Sequence, residues 1–248
     1  MGLKKFGVML SIVFLKLVLV TASANAWTTS TIDISSDSGQ FSSIEVGTSG
    51  AVYIGYYYYD SGNLKYATNV SGSWVTSDAD SAGNDVGRYC SLAVGTSGAA
   101  YMSYYNVNSG DLWYSTNVSG SWVRNSTMGV SASDVGQYTS IAVGTSGAAY
   151  ISYYDLTNTN LMYATNVSGS WGTSTIDSTT AADVGQYTSI GVGTSGAAYI
   201  CYYDATNGNL MYATNVSGSW GTTTVDATNN AGQYCSLAVG TSGAAYIS

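Results

Sequence analysis

The stretch GQYTSIAVGTSGAAYISYYDLTNTNLMYATNVSGSWGTSTID, residues 136–177, decides the fold. Four runs in it, 138–143, 148–155, 161–166 and 170–177, are strand-length and rich in Tyr, Val, Ile and Thr, the residues that suit a pleated, half-buried surface. Between them, Gly144-Thr145-Ser146-Gly147, Leu156-Thr157-Asn158-Thr159 and Val167-Ser168-Gly169 carry the Gly, Asn and Ser that tight turns use for positive φ or local side-chain bonding. Four antiparallel strands joined by hairpins follow. No part of the stretch has sustained helical spacing or a helix cap.

The same text recurs along the chain. Gly39-Gln40-Phe41, Gly87-Arg88-Tyr89, Gly136-Gln137-Tyr138, Gly185-Gln186-Tyr187 and Gly232-Gln233-Tyr234 open successive copies spaced by 48, 49, 49 and 47 residues. The repeats are 39–86, 87–135, 136–184 and 185–231, with a partial copy over 232–248. A four-stranded unit with a period of roughly 40 to 50 residues is the blade of a β-propeller. A stacked parallel β-helix would show a shorter period and no hairpin turns. Within a strand, Ile141 and Val143 point one way and Ser140 and Ala142 the other, so both faces are small or apolar and both need cover. Neighbouring blades in a ring provide that cover. The expected class is all-β, a propeller of four-stranded antiparallel blades.

The chain's two ends extend this reading. WTTSTID, 27–33, is a near-twin of WGTSTID, 171–177, and is expected to be the outermost strand of a closing blade whose inner strands come from the last copy. That copy stops after two strands, so either the reading frame continues or the ring closes imperfectly with five blades; an unpaired gap would expose strand edges, which favours continuation. Residues 1–26 read as a secretory signal peptide: Lys4 and Lys5, an apolar run over 6–20 broken only by Lys16, then Ala24-Asn25-Ala26. The expected protein is secreted or at the cell surface, with no membrane span after cleavage.

Removing 1–26 leaves Lys65, Arg88 and Arg124 as the positive side chains against 14 acidic ones. A surface of that sign repels phosphate backbones, which excludes nucleic acid as a partner. The chain has no His, which removes Ser-His-Asp triads and imidazole metal sites together. Glu45 is the single glutamate, and a glycosidase needs two carboxylates converging on one cleft. Aspartates recurring at equivalent repeat positions are turn formers first. Cys90, Cys201 and Cys235 are an odd set; they are read as small buried side chains, Cys90 and Cys235 standing where Ser42, Thr139 and Thr188 stand in other copies.

With its Ser-Tyr-Tyr-Asp and Asn-Leu-x-Tyr-Ala-Thr-Asn-Val-Ser-Gly-Ser-Trp elements, the repeat resembles secreted sialidase-like and BNR-type propeller proteins across 27–248. That family marks the turn between third and fourth strands with Ser-x-Asp-x-Gly-x-Thr-Trp; this chain has Asn166-Val167-Ser168-Gly169-Ser170-Trp171, with the same departure at Asn69, Asn117 and Asn215. The resemblance implies, for the sialidases, an arginine triplet that clamps the substrate carboxylate. Arg88 and Arg124 alone cannot build it.

Tyr-Tyr pairs recur at 56–57, 104–105, 153–154 and 202–203. Adjacent strand residues face opposite ways, so each pair sends one ring into either neighbouring interface, and core packing is the simplest role. The functional alternative takes the second ring and the residue after it, Tyr105 with Asn106, Tyr154 with Asp155 and Tyr203 with Asp204, together with Asp85, Asp134 and Asp183 on the same end of the ring. Rings beside acceptor oxygens suit sugar faces and hydroxyls. Gln137 and Gln186 mark the central channel as the fallback site. No cofactor is called for; calcium would suit such oxygens, but no compact Asp-x-Asp-x-Asp loop occurs. The four Asn-Val-Ser sequons are explained as turn residues. The leading function is non-enzymatic binding or adhesion through several weak, similar glycan sites. The alternatives are a structural propeller that contacts surface proteins and, further off, a polysaccharide-active glycosidase or lyase.

Overall fold

A computed structural model of the chain describes residues 29–82, 85–125, 133–179 and 182–248. The proposed signal segment lies outside them, as do Trp27 and Thr28. The chain divides into two units, 1–31 and 32–248; in the first, residues 29–31 are irregular, and all the strands belong to the second.

Four sheets of four antiparallel strands follow one another in chain order. The first holds β1 (Ser38–Val46), β2 (Val52–Tyr58), β3 (Asn63–Thr68) and β4 (Val75–Asp80). The second holds β5 (Val86–Val94), β6 (Ala100–Asn106), β7 (Asp111–Thr116) and the short β8 (Val123–Asn125). The third is β9 (Val135–Val143), β10 (Ala149–Asp155), β11 (Asn160–Thr165) and β12 (Gly172–Asp177), and the fourth β13 (Val184–Val192), β14 (Ala198–Asp204), β15 (Asn209–Thr214) and β16 (Gly221–Asp226). β17 (Leu237–Val239) and β18 (Ala245–Ile247) form a two-stranded fifth sheet. Each sheet is a meander, and the first strands β1, β5, β9, β13 and β17 pack in succession along the axis. This is a β-propeller. The described part of WTTSTID, 29–33, lies in no strand; Asp33, in the second unit, accepts a hydrogen bond from Tyr56 Oη at 2.7 Å and pairs with Lys65 Nζ at 3.4 Å.

Alternation along the strands sets what each junction contains. Ile151 and Tyr153 are fully buried, and Ile141 and Met162 pack with them against Tyr101 and Tyr114 of the preceding blade, while Leu161, equally buried, faces the next junction with Val184 and Ile200. The small polar residues on the other face of each inner strand form a ladder around the axis: Leu92, Ile141, Ile190 and Leu237 donate their backbone N–H to the hydroxyls of Ser43, Ser91, Ser140 and Ser189, one blade back, at 3.0–3.2 Å. These bonds satisfy backbone donors that the sheets themselves leave unpaired.

A second polar contact crosses each junction beside the ladder. Thr139 Oγ1 donates to Ser103 Oγ at 2.9 Å, and Ser152 and Thr188 bond in the same way. At the next junction the equivalent positions are Cys201 and Cys235, which form a disulfide with their Cα atoms 6.4 Å apart. This corrects the reading of all three cysteines as unpaired: Cys201 and Cys235 are 34 residues apart in sequence but face each other across one interface. Cys90 stays free and buried, opposite Gly55, whose missing side chain makes room for Met102.

The inner strands begin earlier than the sequence runs suggest, at Val135 in the third repeat, because they open with a β-bulge. Gln137 faces Tyr154 while Ser140 faces Ser152, so one strand spends three steps where its partner spends two. The bulge needs left-handed backbone: Gly136 has φ 109° and Tyr138 φ 52°, and Gly185 with Tyr187 repeats the pattern at 106° and 53°. Glycine is required for a second reason. A Cβ on Gly185 would lie 2.6 Å from Leu161 Cα, so Gly185→Ala combines backbone strain with a clash against the preceding blade. We expect it to cost about 2–4 kcal/mol, read as a lower urea midpoint with an unchanged slope; a loss under about 0.5 kcal/mol would contradict this packing.

Candidate functional site

Each Tyr-Tyr pair splits between two junctions. The first ring points back: Tyr56, Tyr104 and Tyr202 donate to Asp33, Asp80 and Asp177 at 2.6–2.7 Å. The second points forward: Tyr57, Tyr105 and Tyr154 donate to Asp85, Asp134 and Asp183 at 2.6–2.8 Å, and Tyr203 donates to Asn230. A phenol donating to a carboxylate is a charge-assisted bond. Burial first, and then the Asp134 carboxylate, push the Tyr105 hydroxyl up to about 12; Tyr57, Tyr104, Tyr154 and Tyr202 are raised for the same two reasons.

These contacts overturn the Tyr-Asp pairs as sugar-contacting groups. Tyr105, Tyr154 and Tyr203 are 6%, 2% and 5% exposed, and Asn106, Asp155 and Asp204 are as deeply buried. Asp155 accepts from Asn158 N and Nδ2 at 3.0 and 2.8 Å, Asp204 does the same for Asn207, and Asn106 Oδ1 accepts from the backbone N–H of Asn108 and Ser109. They shape their own turns. Asp85, Asp134 and Asp183 are half-buried and sit on the same end, tied by backbone bonds from Val107, Leu156 and Ala205. Gln186 Nε2 donates to Asp183 at 2.9 Å and Gln137 reaches Asp134 at 3.5 Å; Arg88, at the same repeat position, grips Asp85 with two bonds at 2.8–2.9 Å. Arg124 lies over the Trp113 ring at 4.6 Å and 3.8 Å from Asp80, so neither arginine is placed to clamp a ligand carboxylate. Among the described residues no three His, Cys, Asp or Glu converge as a metal site.

Two other places with open space are built from repeated residues. On the end opposite those aspartates, a groove of about 360 Å³ runs between the first two blades, with Tyr53, Tyr66 and Thr68 on one wall and Thr96, Ser97 and Asn117 on the other. Its twin, about 480 Å³, is made by Tyr101, Tyr114 and Thr116 facing Thr145, Ser146 and Asn166. The turn sequons set the walls: Asn69, Asn117, Asn166 and Asn215 each accept a backbone N–H through Oδ1 at 2.8 Å. Trp122, Trp171 and Trp220 meet Tyr66, Tyr114 and Tyr163 of the preceding blade edge-on, all at 5.0 Å. The third junction therefore carries the same aromatic pair as the first two.

The second place is the axis. The bulge aims Phe41, Tyr89, Tyr138, Tyr187 and Tyr234 inward, with successive ring centroids 5.1, 5.0, 4.6 and 4.2 Å apart. They line an open bowl of about 320 Å³. Sequence reasoning reached the neighbouring Gln137 and Gln186 and missed these rings, although the third residue of every Gly-Gln-Tyr opening is aromatic.

No family model matches the sequence, and no curated protein matches it. Solved structures do. AofleA from Arthrobotrys oligospora superposes with TM-score 0.55 at 12% identity, over 79% of this chain and 60% of its own. A variant of the Aleuria aurantia lectin, in complex with Fucα1-6GlcNAc, gives 0.53 at 15% identity over 76% and 62%. An α-L-arabinanase from Penicillium chrysogenum, complexed with arabinobiose, gives 0.57 at 12% over 84% and 74%. At these identities the likeness is one of fold, the β-propeller. The chain spans about three fifths of the length of the first two.

Among the described residues, one junction lacks its backward latch. Asp33, Asp80 and Asp177 stand six residues after a Trp, and Met128 holds that place after Trp122; residues 126–132 fall outside those described. Tyr153 Oη, fully buried, has no hydrogen-bond partner among the described residues. Tyr202→Phe, which leaves Asp177 Oδ2 without its donor while Thr179 still serves Oδ1, is therefore expected to cost about 1–3 kcal/mol, whereas Tyr153→Phe is expected to be neutral or slightly stabilising. Urea midpoints of the two variants check this; equal losses would contradict the latch assignment.

Proposed function

We propose that this protein is a secreted, non-enzymatic glycan-binding propeller whose sites are the repeated junction grooves. The observation that carries the proposal is the recurrence, between successive blades, of one groove with the same walls: tyrosine edges on one side, Thr, Ser and Asn groups on the other. Sugar hydroxyls take and give hydrogen bonds to hydroxyl and amide groups, and the apolar C–H edges of the ring suit aromatic walls. Similar weak sites arrayed around a ring gain strongly in avidity on a polyvalent surface. The fold likeness to a lectin caught with a disaccharide supports the reading, as does the disulfide, which forms and persists in oxidising compartments. Among the described residues no helix is long and apolar enough to cross a membrane.

The carboxylates speak against hydrolysis. Asp80, Asp155, Asp177 and Asp204 are buried and committed to tyrosines or turns, and neither groove lining contains a carboxylate, where a glycosidase needs two.

Thr96 and Thr145 are exposed on the groove rims, so Thr96→Leu and Thr145→Leu block two grooves without touching the core. Glycan arrays at high and low ligand density are expected to show binding mainly at high density, with the double variant losing about tenfold or more in apparent affinity. Binding to no glycan above background, or binding untouched by the double variant, would overturn the proposal.

A further inference from the structure

The axial bowl differs from the junction grooves in its chemistry: its walls are aromatic rings, and they are open to solvent. Phe41 and Tyr234 are 41% and 76% exposed, and Tyr89, Tyr138 and Tyr187 are half-buried between them. The conformation that creates the bowl is costly. All five residues have φ between 49° and 58°, a region bulky side chains avoid at a cost of about 1 kcal/mol or more each. A bulge with glycine there would close the strand equally well, so the structure keeps five strained backbones and gains inward-facing rings.

Behind the rings stands a layer of negative charge. Tyr89, Tyr138 and Tyr187 lie against Tyr105, Tyr154 and Tyr203 at 6.1–6.2 Å. The hydroxyls of Tyr105 and Tyr154 end on the carboxylates of Asp134 and Asp183. The one guanidinium nearby, Arg88, is bound to Asp85 and sits over Tyr57 at 5.7 Å, outside the bowl. The π systems and the acid layer thus add to a negative potential, offset only on the Tyr89 side, where Arg88 also pairs with Asp85.

We propose that the axial bowl is a binding site for an organic cation, a quaternary or alkylated ammonium group. Ring centroids spaced 4.2–5.1 Å along an arc put a point on the axis within about 6 Å of several rings at once, the reach of a cation–π contact. A methylated ammonium suits this better than a bare one, because its methyl groups fill the apolar bowl while its spread charge meets the ring faces. An anionic group is repelled by the same layer. The site is separate from the junction grooves and does not depend on what they bind.

The test is calorimetric titration of the full chain with choline and with its uncharged isostere 3,3-dimethyl-1-butanol. Choline is expected to bind saturably and about tenfold or more tightly than the alcohol. Tyr138→Leu is expected to weaken choline by about tenfold, while Tyr138→Phe, which keeps the ring, holds affinity within about threefold. Equal affinity for choline and the alcohol would show a plain apolar hollow and overturn the proposal, as would the absence of saturable choline binding. Should Tyr138→Leu fail to fold, the ratio of the two ligands on the unaltered chain decides alone.

Discussion

A sheet that is apolar on both faces cannot exist alone in water, and that constraint organises the whole molecule. Where blades are sandwiched, functional possibilities are confined to what the sandwich leaves open: the two ends of each junction and the axis. Burial of Ile151, Tyr153, Leu161 and their repeats supplies the attraction. Attraction alone would let blades slide. The tyrosine hydroxyls, Tyr153 excepted, prevent this, because each reaches through the apolar layer to one acceptor at a fixed height, Asp80 behind Tyr104 or Asp134 ahead of Tyr105. Apolar area binds the blades and the phenol-carboxylate bonds set their register.

The same division of labour explains where chemistry is absent. Asp80, Asp134, Asp155, Asp177, Asp183 and Asp204 are taken by latches and turns, and both arginines by neighbours. What the grooves and the bowl present is chiefly aromatic surface with neutral hydroxyls and amides. Repetition turns this into a property of the assembly, since each groove is a copy of the last.

Much of this was legible in the sequence. The period, the four runs per copy and the Gly-Thr-Ser-Gly turns dictate an antiparallel blade, and strand alternation dictates that Tyr153 and Tyr154 part to opposite junctions. Burial of Tyr154 was not legible, because alternation says which way a ring points and not how closely the next blade approaches it. The pairing of Cys201 with Cys235 needed the junction geometry, which places a Ser103-type position against a Thr139-type position. The axial bowl depends on a left-handed Tyr138, and no local signal announces positive φ at an aromatic residue. Its one trace was Gly136, fixed in each copy two residues earlier, by a close approach to Leu112 as well as by φ.

The claim on which the account rests is that protonated tyrosines latch the blades, and the direct measurement is stability against pH, followed together with phenolate absorbance. A phenol whose pKa is raised on folding favours the folded state while protonated. Its contribution is complete below the unfolded value of about 10 and fades as pH rises through the folded one. Tyr105 and Tyr163 are pushed to about 12, and Tyr57, Tyr104, Tyr154 and Tyr202 are raised with them. The account predicts stability that does not fall between about pH 8 and 10, then falls steeply, with most phenolate appearing in the same cooperative transition as the loss of β-structure. Ionisation of most tyrosines near pH 10 in a chain that keeps its fold and its urea midpoint would contradict it.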